Sequence, residues 1–159
     1  MISHSQMFAL ATQLAQAKNK QDIEASLAIY HPQVELITPS LNAKGVGCEK
    51  ARQQLELFFN VFPDYTVSLD QHAFNDNLML AFGTVSVTPS IAPAITQKQF
   101  EKVIVPVFIE FHFKDGKISK EVFNLDYGHI FKKSGLTKQE LYMANQLFIN
   151  SKKAQSAHA

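Results

Sequence analysis

The chain has 159 residues, of which 46% are hydrophobic and thirteen are Phe, and its formal net charge is +1. That length fits one domain burying about 68–70% of its unfolded surface, with aromatic mass to line a pocket. Dispersed charge excludes a nucleic-acid footprint, the single Cys48 excludes an internal disulfide framework, and no apolar run approaches the roughly 20 residues that cross a bilayer. The N-terminal stretch is polar and helical in pattern, without a signal peptide's charged start and apolar centre, so a soluble cytoplasmic protein is expected.

Phe8, Ala11, Leu14 and Ala15 recur at helical spacing and predict a helix over residues 4–18. A second helix, about 20–30, gathers Ile23, Leu27 and Tyr30 and stops at His31-Pro32, because proline cannot continue the ladder. Val34 to Thr38 reads as a short strand, followed by a loop through Gly45-Val46-Gly47. A third helix, about 48–61, presents Ala51, Leu55, Phe58, Phe59 and Phe62, and Phe62-Pro63-Asp64 breaks it. Strands are expected at about 65–74, 78–87 and 103–113, the first two joined at Asn75-Asp76-Asn77. The linker 88–100 reads either as a lid or as a long hairpin connection. Thr137 and Glu140 form a capping box that opens a last helix to about residue 150, and the polar tail 151–159 is expected to fray. Helices, then an antiparallel meander, then a helix predict an α+β fold with helices on one face of a curved sheet.

The most informative stretch is 107–136. Asp115-Gly116 between alternating apolar runs is a hairpin turn, since both residues tolerate positive φ. A regular ladder from that turn pairs Phe113 with Ile118, Phe111 with Lys120, Ile109 with Val122, Val107 with Asn124 and Val105 with Asp126. One face then carries Phe111, Ile109, Val107 and Val122, with Asn124 and Asp126 at its far end. The opposite face carries Glu110, His112 and Glu121. A carboxyl group on the apolar side is a candidate acid/base. A bulge anywhere in the hairpin would exchange the faces and make His112 a cavity residue.

Four pieces together resemble the SnoaL-like polyketide cyclases of the nuclear-transport-factor-2-like superfamily, which includes the ketosteroid isomerases. They are Ala28-Ile29-Tyr30-His31-Pro32-Gln33-Val34, the Gly47-to-Phe62 helix ending in Phe62-Pro63-Asp64, the run from Phe111 to Ile118, and Asp126 followed by Gly128 and Gly135-Leu136. The resemblance implies a cone-shaped α+β barrel over residues 1–136, with 137–150 as an appended helix. It also implies that Asp126, at the end of the last strand, is the acid/base. The chain departs from the family in having no Trp, and in carrying Glu121, Val122 and Leu125 where relatives often have Trp or His.

Asp126 is thus read either as a proton shuttle or as a helix-capping turn aspartate, and Asn124 as its hydrogen-bonding assistant or as a polar plug. Tyr30, Phe58, Phe59, Phe62, Tyr65, Phe111, Val122 and His112 are the candidate ligand-binding residues. Asp64 reads as structural, and His72 and His129 as surface residues. The six histidines lack metal-site spacing, and no metal or cofactor is expected. Three functions fit: an acid/base enzyme on a hydrophobic carbonyl-containing small molecule, a non-catalytic binder of such a molecule, or a dimerisation module. A homodimer through the outer sheet face is expected, with neither nucleic acid nor membrane as partner.

Overall fold

The computed structural model describes residues 1–158. Ser3 opens helix α1 (His4–Asn19): its hydroxyl accepts from the Gln6 N–H, and Gln6 accepts from the Ser3 N–H. The buried stripe of α1 runs Met7, Ala11, Leu14 and Lys18, one residue out of phase with the expected one at its start. Phe8 is therefore 40% exposed and lies against His72 rather than in the core. Asp22 caps α2 (Ile23–Ile29) by accepting from the Ala25 N–H.

The chain turns extended at Tyr30, earlier than expected, and Pro32 sits inside strand β1 (Tyr30–Thr38). It is tolerated because the pairing register is interrupted between Tyr30 and Glu35, where a missing N–H leaves no ladder bond unmade. The expected loop through Gly45 is a short strand, β2 (Ala43–Val46), folded back on β1. Helix α3 (Cys48–Val61) follows, and then the meander β3 (Thr66–Asn75), β4 (Leu78–Val87), β5 (Val103–Lys114) and β6 (Lys117–Leu125). The six strands form one curled sheet in the order β2-β1-β6-β5-β4-β3, antiparallel except for the β1–β6 pair. Helices α4 (Tyr127–Ser134) and α5 (Lys138–Ala157) close the chain, completing an α+β fold. Helix α5 continues through the stretch expected to fray, which suits its good helix formers and the capping box of Thr137 and Glu140.

The linker between β4 and β5 packs Ile91, Ile95 and Phe100 against the core. Lys98 ties it down, with Nζ 2.9 Å from the Gly135 carbonyl and 2.6 Å from Glu140. It behaves as the long connection, strapped to the α4–α5 turn.

The β5–β6 hairpin departs from a regular ladder. Lys114 pairs Lys117 and Phe113 pairs Ile118, but His112 then pairs Lys120, leaving Ser119 as an extra residue on β6. Beyond this bulge every side chain of β6 changes face: Phe111 lies opposite Glu121, Ile109 opposite Phe123, and Val107 opposite Leu125. The reason is visible in the side chains. Without the bulge, the face shared with Ile118 would take Lys120, Val122 and Asn124 inward and expel Phe123 and Leu125. Each large apolar side chain buried contributes about 1.5–3 kcal/mol, so the bulged register wins on burial. Its cost is one inward acid, Glu121.

Candidate functional site

Glu121 is 2% exposed. Two residues, one from the helical layer and one from β1, meet its carboxylate. Lys18, in the last turn of α1, places Nζ 2.6 Å from Oε1, and the Tyr30 hydroxyl at the start of β1 donates to Oε2 at 2.5 Å. Both carboxylate oxygens are thereby satisfied by donors, one of them charged, which is the condition for keeping such a group inside. The ammonium also stands 5.5 Å from the centre of the Phe123 ring, within cation–π range.

Lys18 and Glu121 line a cavity of about 160 Å³, while Tyr30, which holds the carboxylate, is buried outside that lining. Phe58, Phe62, Tyr65 and Phe123 supply its aromatic walls, Leu36 flanks Glu121 on the neighbouring strand, and α5 contributes Leu141 and Asn145 to the lining. Phe58 is in edge contact with Tyr65 and Phe123, which fixes the wall's shape. Burial first, and then the Glu121 charge, push the Tyr30 and Tyr65 hydroxyls well above the ordinary phenol pKa, so both stay protonated donors. Burial alone raises Tyr127, another lining residue. The Asn145 Oδ1 atom is buried without a hydrogen-bond partner among the described residues.

The structure separates the residues that the regular register had grouped. Asp126 is exposed and outside the cavity lining; its side chain accepts from the His129 N–H at 3.0 Å and caps α4. Of its two sequence readings, the capping one describes its contacts. Asn124 and Val122 are turned to the outer face by the Ser119 bulge, opposite Phe108 and Glu110. Phe111 and Phe59 are buried in the core beside the site, not in the cavity wall. His112 stays on the outer face, with Nε2 2.5 Å from Glu110. The bulge, having passed β6 rather than β5 to the other face, did not bring His112 inward. Asp64 is structural, its carboxylate accepting from the Thr88 N–H at 2.7 Å. Glu121 and Lys18, the charged centre of the site, escaped the sequence reading.

If Asp126 acts only as a cap, Asp126→Ala should cost about 1 kcal/mol of stability, the usual value of an N-cap. Urea denaturation measures that loss. A much larger effect on ligand turnover than on stability would restore it to the chemistry.

Residues 11–121 match the SnoaL-like domain family. The chain belongs to that family. No curated protein matches the chain. Among solved structures of similar fold is one provisionally named a SnoaL-like polyketide cyclase, from Jannaschia sp. CCS1. It is 15% identical, with 86% of this chain and 98% of that one covered at a TM-score of 0.71. Another, from Catenulispora acidiphila, has a ketosteroid isomerase-like fold and was solved with trimethylamine; it is 12% identical over 80% of this chain and 93% of its own, at 0.71. A third, TerC co-crystallised with polyporic acid, is 16% identical over 80% and 97%, at 0.68. At such identities these neighbours establish the SnoaL-like, NTF2-type fold and nothing finer. The family match ends at Glu121, so Phe123, Tyr127, Leu141 and Asn145 lie in the part of the cavity wall beyond it.

Proposed function

We propose that this SnoaL-like chain is an acid/base enzyme acting, without a cofactor, on a small, mainly apolar, carbonyl-containing molecule held in the Glu121 cavity. The reaction is of the aldol cyclase or isomerase type. The observation that carries the reading is a buried carboxylate, paired with an ammonium, in the lining of an aromatic cavity. Fold neighbours solved with small organic molecules support a small-molecule role on fold grounds only.

Size narrows the class. A cavity of about 150 Å³ holds a benzene molecule, so the present 160 Å³ suits a one-ring compound, with anything larger reaching out through the mouth. In this reading the substrate carbonyl oxygen lies against Lys18, whose ammonium has donors beyond the one given to Glu121. Glu121 then takes a proton from the carbon next to the carbonyl, and Lys18 meets the charge that develops on oxygen. Tyr30 holds the carboxylate in place, and the aromatic walls exclude water. The enol returns its proton elsewhere in an isomerisation, or attacks a second carbonyl in a cyclisation.

Deuterium exchange into the methyl group of acetophenone, followed by NMR, tests this. Wild type should accelerate exchange over buffer, and Glu121→Gln should lose about 100-fold or more of that acceleration. A second reading has one observation in its favour: both oxygens of Glu121 are already engaged. Saturable binding of acetophenone without any exchange above buffer would replace the enzyme by a binding protein.

A further inference from the structure

Lys18 brings a primary amine to the cavity, and stability alone does not account for it. Its side chain is 11% exposed and lies on the apolar stripe of α1 with Met7, Ala11 and Leu14. Buried ion pairs of this kind are often no more stabilising than apolar side chains of the same volume. A buried, cavity-lining lysine is also the residue type that enzymes use to attack carbonyl carbon.

We propose that Lys18 captures the carbonyl compound covalently, as a Schiff base, with Glu121 carrying the proton; this rests on the carbonyl-binding reading of the cavity and names its substrates as aldehydes and ketones. The geometry supplies each part. Across the 2.6 Å contact the ammonium passes a proton to Glu121, which frees the nitrogen lone pair and neutralises both groups in a mainly apolar site. The nitrogen bonds to the carbonyl carbon, the π electrons move to oxygen, and a proton shift from nitrogen to oxygen gives a neutral carbinolamine. Glu121 returns its proton to the hydroxyl, which leaves as water while the nitrogen lone pair forms the C=N bond. The products are an iminium ion, a water molecule and the original carboxylate, so no oxidant or reductant is required. The Tyr30 hydroxyl, bound to the other oxygen, keeps the carboxyl group aligned as Lys18 moves. Phe123, already beneath the ammonium, offers its ring face to the iminium cation. The iminium then makes the neighbouring carbon more acidic for the same Glu121.

The test is reductive trapping with benzaldehyde, a one-ring probe without a proton next to its carbonyl, and sodium cyanoborohydride, read by intact mass and peptide mapping. The expected result is one reduced adduct per chain, on the peptide carrying Lys18, formed at least about tenfold faster than at any other lysine. Glu121→Gln should slow it by a similar factor, and Lys18→Arg, which preserves the charge pair, should abolish it. Adducts spread evenly over surface lysines in wild type would overturn the proposal, whatever the variants do. Acetophenone exchange that persists with no Lys18 adduct sinks the Schiff base but leaves Glu121 as a base. A Lys18 adduct without exchange supports the Schiff base and removes proton abstraction.

Discussion

Glu121→Ala should destabilise the fold by about 3–5 kcal/mol, the usual penalty for removing one partner of a buried ion pair. The cost comes mainly from what is left behind. The Lys18 ammonium and the Tyr30 hydroxyl both lose their acceptor in an interior position, and the carboxylate's volume becomes additional void. Urea denaturation of the variant measures the loss directly. Adding Lys18→Met should recover a large part of it, because the stranded charge is then gone. Glu121→Gln should cost less than Glu121→Ala, since an amide oxygen still accepts from Tyr30. A loss below about 1 kcal/mol in Glu121→Ala would show that the pair behaves as a solvated surface contact.

Gly83→Ala is expected to destabilise by at least about 3 kcal/mol, at the top of the range for overpacked sites. Strand β3 carries its own bulge between Leu69 and Gln71, opposite Gly83 of β4, and there the two backbones approach closely. A Cβ on Gly83 would lie 1.8 Å from the Ser68 carbonyl oxygen and 2.9 Å from its carbonyl carbon. Both obstacles are main-chain atoms, so no rotamer change relieves them, and the β3–β4 ladder must part locally. Gly116→Ala provides the contrast. Apart from its chain neighbours, no described residue lies within 4 Å of its Cβ position, and its left-handed φ of +71° is what opposes the change, at a cost of about 1–2 kcal/mol. Thermal and urea unfolding of the two variants should rank them in that order; equal losses would mean that the β3 bulge yields without strain.

The helices and strands were readable because their side-chain periods of 3.6 and 2 are local properties. Helix α3, the β4 strand and the capping box of α5 lie where pattern and turn chemistry put them. The charged centre of the site was harder to read, because it depends on tertiary packing. Yet two signals were present. Met7, Ala11, Leu14 and Lys18 form a single helical stripe, and a lysine on the buried stripe demands a buried acid. Along β6, Ile118 has one parity while Phe123 and Leu125 have the other, so all three face inward only if an extra residue intervenes. Short strand β2 was missed for another reason: its residues carry little β signal of their own, and pairing with β1 supplies the order. Asp126 stands just past the strand end, a position that suits a helix cap as well as an acid/base.

The unpaired Ser119 makes the inward acid a matter of counting. An odd insertion in a strand reverses inside and outside for all that follows, so chemical equivalence between two such chains follows the parity of the count rather than its value. Asp126, five places beyond Glu121, accordingly faces solvent while Glu121 lines the cavity. In this fold the turn and the bulge together define the reading frame of the pocket.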